Sequence, residues 1–214
     1  MKTTGNKKDP FRAFVQAIVF ADVTTATAVL AASPNLARER AAYGTARQTA
    51  EDSFFDEILH YMYEGDSALH MAAAAYQKEI AIDRIAKGAD VRAKNRRGAE
   101  PLHYASDGVP GSRRWNPPAQ AATIAILIEA GADPNSLDKS GVAPLHRAVR
   151  TRCAAAVEAL LKGGADACAR NKSGSTPLLL ASQNTGRGGS GSPEARAQQE
   201  EILRLLLVHG ASRP

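Results

Sequence analysis

The sequence predicts an all-α solenoid of stacked helix–turn–helix units joined by short hairpin fingers, with two loops inserted between helices. Two short sequence landmarks recur along the chain in register with each other. Apolar residues three and four positions apart precede three of the four copies of one landmark, a spacing typical of a buried helix face. Helix pairs that repeat in this way bury their apolar faces by stacking on their neighbours.

The first landmark has four copies, which are spaced by 33, 43 and 33 residues. They read Gly65-Asp-Ser-Ala-Leu-His70-Met-Ala72, Gly98-Ala-Glu-Pro-Leu-His103-Tyr-Ala105, Gly141-Val-Ala-Pro-Leu-His146-Arg-Ala148 and Gly174-Ser-Thr-Pro-Leu-Leu179-Leu-Ala181. The second landmark, Gly-Ala-Asp or Gly-Ala-Ser, begins at Gly88, Gly131, Gly164 and Gly210. Together they resemble the ankyrin repeat, whose period is about 33 residues and whose signature is Thr-Pro-Leu-His-x-Ala.

The resemblance covers residues 65–212 and implies four ankyrin repeats. We name them unit 1 (65–97), unit 2 (98–140), unit 3 (141–173) and unit 4 (174–214). The chain departs from the signature at Ala68, which replaces the proline, and at Leu179, which replaces the histidine. Residues 1–64 are predicted to form a degenerate N-terminal capping repeat plus an inserted helix, because the end units of solenoids differ from the others.

The capping repeat is predicted to begin at Asp9-Pro10, since Asp caps helices and Pro fits the first helical turn. An apolar face follows, which consists of Phe11, Phe14, Val15, Ile18 and Val19. A second helix is expected to stop before Ser33-Pro34. The inserted helix is predicted from Glu51 to Tyr63, with an apolar stripe that covers the stack.

The second helix of each unit carries the core stripe and ends at a glycine suited to a helix C-cap. The stripes are Ile124, Leu127 and Ile128, then Val157, Leu160 and Leu161, then Leu203, Leu206 and Leu207. Unit 1 differs, because Arg84 stands at the position of a leucine. We expect its second helix to pack less well there, or the arginine to reach a carboxylate.

Two units are longer than 33 residues. In both, the extra residues lie between the first and second helices, after Ala105 and after Ala181. The inserted loops should therefore emerge at one edge, and such insertions often lie on a functional face. The candidate ligand edge comprises Arg113, Arg114, Trp115, Arg150, Arg152 and Arg187. It predicts an anion or acidic-partner site with Trp115 as anchor. The alternative is that Trp115 packs on the extended helices and the arginines are solvated.

His70, His103 and His146 occur once per unit, and the resemblance implies hydrogen bonds that hold the turn rather than a metal row. Cys153 and Cys168 lack the spacing of a zinc site or a disulfide framework. No Ser-His-Asp order, His-Glu-x-x-His or Gly-x-Ser-x-Gly occurs. We expect no cofactor, and an enzyme would need residues assembled from separate units.

The resemblance implies that the residue after each signature histidine faces a concave groove beside the fingers. Those residues are Met71, Tyr104, Arg147 and Leu180, and the adjacent finger carries Arg92, Lys94, Arg96 and Arg97. Three functions stay open: a non-catalytic module that binds protein in the groove, a looped edge that binds a small anion with or without catalysis, and basic fingers that bind nucleic acid. The first is preferred by analogy with the family.

The chain has 214 residues and a net charge of +5, which permits an acidic partner without requiring nucleic acid. The apolar stretch from Phe14 to Ala32 is interrupted by Asp22, so we expect a helix rather than a signal peptide. No apolar run is long enough to span a membrane. We therefore expect a cytoplasmic protein, monomeric or weakly oligomeric, whose partner is a protein with an acidic surface.

Overall fold

The computed structural model describes residues 9–44, 53–108, 112, 115–183 and 193–212, and within them most residues are helical. Two helices form the capping repeat, α1 (Pro10–Val19) and α2 (Val23–Ala32), followed by a 3-10 helix (Pro34–Ala37). Two short strands come next, β1 (Phe54–Phe55) and β2 (His60–Tyr61). The units contain α3 (Ala68–Ala74), α4 (Lys78–Ala86), α5 (Pro101–Ala105), α6 (Pro117–Glu129), α7 (Pro144–Arg150), α8 (Ala154–Lys162), α9 (Pro177–Ser182) and α10 (Pro193–Val208).

The helices stack in two layers, which is the solenoid that the repeats predict. In the inner layer α1 packs on α3, α3 on α5, α5 on α7 and α7 on α9. In the outer layer α4 packs on α6, α6 on α8 and α8 on α10. The core stripe lies between the layers, and Leu127, Leu160 and Leu206 are completely buried. Each such leucine contributes roughly 2 kcal/mol by leaving water.

The first helix begins at Pro10 and the second ends before Ser33-Pro34, as the sequence predicts. The Asp9 side chain accepts a hydrogen bond from the Phe11 amide at 3.0 Å, and Pro10 occupies the first helical position. The predicted apolar face of α1 is buried throughout. Helix α2 ends at Ala32, immediately before Ser33-Pro34. A cap and a buried face therefore fix the first unit of the stack.

Both sequence landmarks recur because their residues form the turns of each unit. Gly131 and Gly164 adopt φ of 99° and 92°, the left-handed conformation that glycine adopts without strain at helix ends. The Asp of each Gly-Ala-Asp accepts a hydrogen bond from the amide two residues later, at 2.8–2.9 Å, in Asp90, Asp133 and Asp166. The fingers turn in the same manner around Asn95, Asp138 and Asn171.

The signature histidines join each unit to the next, so the structural interpretation of the row is confirmed. Nδ1 of each ring accepts from the amide of the residue that caps its helix, at 3.1–3.2 Å. The proton therefore lies on Nε2, which donates to a carbonyl of the following unit at 3.0–3.2 Å. The three carbonyls belong to Ala99, Val142 and Ser175.

The predicted inserted helix from Glu51 to Tyr63 is wrong over its described part, residues 53–63, which form a β-hairpin. Phe54 pairs with Tyr61 and Phe55 with His60 in antiparallel register. Leu59 turns the chain with a φ of 51°, which a helix does not tolerate. Aromatic residues at both ends favour strands, and the apolar stripe of five residues fitted a helix face equally well.

The insertions lengthen the second helices of units 2 and 4 at their N-terminal ends, as expected. Helices α6 and α10 have 13 and 16 residues, whereas α4 and α8 have nine each. The Asn116 side chain caps α6 by accepting from the Ala119 amide at 3.1 Å. Among the described residues, no helix is both long and apolar enough to cross a membrane.

Candidate functional site

The β-hairpin lies against the inner helix of unit 2 and forms one wall of the concave face. The His60 ring stacks on the Tyr104 ring with centroids 4.5 Å apart. Tyr104 is 1% exposed and Met71 is 0% exposed. The expectation that these two groove residues present a surface to a partner is therefore corrected, because the inserted segment and the neighbouring inner helices enclose them.

A buried carboxylate holds the base of the hairpin to the inner helices. Oδ2 of Asp66 accepts from the Tyr104 hydroxyl at 2.8 Å and from the Tyr63 amide at 2.6 Å. Oδ1 accepts from the side-chain amide of Asn95 at 2.8 Å. Burial, followed by the charge of Asp66, raises the pKa of Tyr104 well above its ordinary value. The hydroxyl thus stays a hydrogen-bond donor to Asp66.

Arg147 does not face a partner as a free cation. Its guanidinium donates to Asp107 at 2.8 Å and to Asp138 at 3.0 Å, and its side chain is 15% exposed. His60 Nε2 lies 3.5 Å from the same Asp107 carboxylate. Burial alone would raise the pKa of Asp107, but Arg147 and His60 hold it below its usual range. These four side chains form a polar ladder across the groove, from the hairpin to the finger of unit 2.

The concave face holds a cavity of about 1150 Å³, which we name the groove cavity and which the four ladder side chains also line. Its walls are the hairpin, the turns between first and second helices, parts of the inner helices of units 1 to 4, and the fingers of units 1 and 2. Residues that line it include Glu57, Tyr76, Glu79, Trp115, Arg150 and Leu180. Leu180 is half-buried there, so it keeps an apolar surface toward the cavity.

The predicted ligand edge is only partly described, since Arg113, Arg114 and Arg187 lie outside the described residues. Trp115 is half-buried against the core. Arg150 is exposed. Arg152 is 4% exposed, which corrects its expected place on an open edge, and it donates to the Gln183 carbonyl at 3.3 Å. It occupies the tight turn between α7 and α8 with a φ of 55°.

The four predicted finger cations of unit 1 are exposed, and each has a neighbour in the structure. Arg92 lies 3.5 Å from Asp133, Lys94 lies 3.7 Å from Glu100, and Arg96 lies 3.9 Å from Glu64. Arg97 stacks on the Tyr63 ring at 5.0 Å and donates to its hydroxyl at 3.0 Å. In the next fingers the exposed Lys139 and Lys172 have no carboxylate within ion-pair distance among the described residues.

A family model described as ankyrin repeats (many copies) matches residues 127–181. This stretch runs from the end of α6 to α9 and includes the His146 bond between units. The chain therefore carries ankyrin repeats over these residues. A search of curated proteins found no match. Ankyrin repeats generally mediate protein–protein interactions.

The sequence did not point to His60, Asp66 or Asp107 as residues of the site. Asp66 falls at a variable position of the landmark, where the other units have Ala99, Val142 and Ser175. The indication in the sequence was that this position carries a charge in unit 1 but not in the other three units. Asp107 meets Arg147 over 40 residues of sequence, a contact that no local pattern indicates.

The described residues contain no cluster of His, Cys, Asp and Glu suited to a metal ion. Cys153 is buried, with its Sγ 3.0 Å from Oε1 of Gln120, and burial raises the pKa of its thiol. Cys168 is exposed and also carries a free thiol. The polar groups of the concave face are thus arranged for hydrogen bonds and ion pairs.

Proposed function

We propose that this chain is a non-catalytic module that binds another protein in the C-terminal half of its concave face and at the finger tips of units 2 and 3. The observation that carries the proposal is the groove cavity, which has the hairpin as one wall and extends to Leu180 in unit 4. Leu180 supplies an apolar contact within it.

The finger tips support a partner with acidic residues on the rim of the interface. Lys139 and Lys172 occupy equivalent places in successive fingers, and both are exposed. Lys172 Nζ donates to the Lys139 carbonyl at 2.6 Å, which leaves its positive charge uncompensated. Exposed charges of one sign in a row steer an oppositely charged partner and contribute more to the association rate than to affinity.

Site-specific photo-crosslinking tests the proposal. The photoreactive p-benzoylphenylalanine replaces Leu180 in one variant and Lys162, which is exposed on the outer helix α8, in a matched control. In the cells that make the protein, we expect a discrete protein adduct from position 180 and none of that mass from position 162. Equal adducts from both positions, or none from either, would contradict binding in the groove.

A further inference from the structure

The charges that line the groove cavity are divided between its two ends. Arg147 is neutralised by Asp107 and Asp138, and Arg97, which also lines the cavity, stacks on the Tyr63 ring. Glu57 on the hairpin and Glu79 on α4 line the end nearest unit 1, and neither forms an ion pair with a described residue. This end of the cavity therefore presents uncompensated negative charge.

The opposite end presents uncompensated positive charge from Arg150 and Arg152. Arg152 is 4% exposed and has only a backbone carbonyl, that of Gln183, as its hydrogen-bond acceptor among the described residues. The loop between Gln183 and Pro193 contains no Asp or Glu, so that loop brings no carboxylate of its own. A buried cation without a counter-charge is costly, and a carboxylate from a partner would offset that cost.

The two ends are separated by a distance that an extended peptide spans. Glu79 belongs to unit 1 and the two arginines to unit 3, so two unit steps separate them. Helices pack roughly 8–10 Å apart, which gives a separation on the order of 20 Å. An extended chain rises about 3.3 Å per residue, so about six residues cover that distance.

We propose that the groove cavity accepts an extended segment of the partner protein with a carboxylate at one end and a Lys or Arg about six residues away. The carboxylate pairs with Arg150 and Arg152, and the basic residue pairs with Glu57 and Glu79. This inference rests on the proposed function and specifies the partner's chemistry and its direction in the groove. The central residues of the segment pass over Leu180.

Selection from a phage-displayed library of random 12-residue peptides tests the inference on the full chain. We expect enriched peptides to share an acidic and a basic residue at that spacing. Arg150→Glu should weaken the selected peptides by about tenfold. Glu79→Lys should do the same, and the double variant should select peptides with the two charges exchanged. Lys162→Glu, on the exposed outer face, is the control and should leave binding unchanged. Both groove substitutions lie at exposed positions, so folding is retained.

The outcomes separate this inference from the proposed function. Leu180→Arg serves as a groove-blocking variant, because it places a long charged side chain on the cavity wall. The selected peptides could lose binding to Leu180→Arg and yet share no charge pattern, or bind both charge-reversal variants as well as the wild type. Either result would overturn the inference and leave groove binding standing. Peptides that are unaffected by Leu180→Arg, or a library that yields no binder, would overturn both.

Discussion

The two halves of the concave face are built on the same helix pairs but differ in what occupies them. Over units 1 and 2 the hairpin covers Tyr104, and a buried carboxylate ties the aromatic ring to the hairpin base. Over units 3 and 4 the equivalent Leu180 borders an open cavity. Since the backbone is shared, the difference lies in one insertion and in the few polar side chains that anchor it.

The contrast is sharpest at the second position of the first landmark. Unit 1 has Asp66, which is 0% exposed and accepts three hydrogen bonds, whereas unit 3 has Val142. A buried carboxylate requires donors, and Asp66 finds them in the hairpin, the finger and the next inner helix. Asp66 thus ties the base of the hairpin to the finger of unit 1 and to the inner helix of unit 2.

The largest expected effect comes from Asp66→Ala. The change leaves the Tyr104 hydroxyl, the Asn95 amide and the Tyr63 amide without their acceptor in a buried place. We expect the free energy of unfolding to fall by about 4 kcal/mol in urea titrations. Val142→Ala, at the equivalent position of unit 3, should cost less than about 1.5 kcal/mol. Similar losses from both variants would refute the anchoring role of Asp66.

The histidine hydrogen bonds between units predict that the folded protein loses stability in acid. Burial, reinforced by the charge of Arg147, lowers the pKa of His103 from 6.5 to about 4. The folded state therefore resists protonation, so the contribution is fully present above pH 6.5 and disappears as the pH falls to about 4. We expect about 3 kcal/mol over this window. His146 and His70 shift in the same direction.

The contribution of His103 is the difference between the wild-type and His103→Gln stability profiles, measured by urea unfolding from pH 7.5 to about 4. The variant starts less stable because it loses the bond to Val142. Its profile should be flatter than that of the wild type. Parallel profiles would show that His103 does not carry this dependence on pH.

Arg84 marks a second difference between unit 1 and the other units, in the outer helix rather than in the groove. It is 2% exposed at the position where units 2, 3 and 4 have Leu127, Leu160 and Leu206. Its guanidinium pairs with Asp83 and lies 5.1 Å from the Phe14 ring centroid, but Nε and Nη1 have no hydrogen-bond partner among the described residues.

We therefore expect Arg84→Leu to raise the free energy of unfolding by about 2 kcal/mol, because it removes two buried donors and restores an apolar contact. Thermal and urea unfolding both measure the change. Arg204→Leu, on the exposed surface of α10, is the control and should shift stability by less than about 0.5 kcal/mol. A less stable Arg84→Leu protein would mean that the contacts with Asp83 and Phe14 outweigh the unpaired donors.

The smallest expected effect concerns the contact between Arg97 and the hairpin residue Tyr63. Arg97→Ala removes the stacking contact and the hydrogen bond to Tyr63. We expect about 1 kcal/mol of local destabilisation, seen as faster amide hydrogen exchange in residues 53–63 with little change elsewhere. Arg170→Ala, in the finger of unit 3, should leave exchange in the hairpin unaltered. Exchange that speeds up across the whole chain would indicate global unfolding instead.

The sequence predicted the solenoid because its evidence is local and repeated. The landmarks fix the turns at Gly131 and Gly164, and the stripes fix the buried faces of the outer helices. The hairpin could not be predicted, since the apolar stripe from Phe54 to Met62 suits either a helix or two strands. The burial of Tyr104 depends on that hairpin, and the pairing of Arg147 with Asp107 depends on a loop 40 residues earlier.

Hydroxyl-radical footprinting read by mass spectrometry tests most directly whether the hairpin covers Tyr104 while Leu180 stays accessible. Tyr43 is 84% exposed and serves as the internal reference for a freely accessible tyrosine. We expect Tyr104 to be strongly protected relative to Tyr43, and Leu180 to be oxidised at a rate typical of an accessible leucine. Oxidation of Tyr104 at the rate of Tyr43, or protection of Leu180 in the isolated chain, would contradict the account.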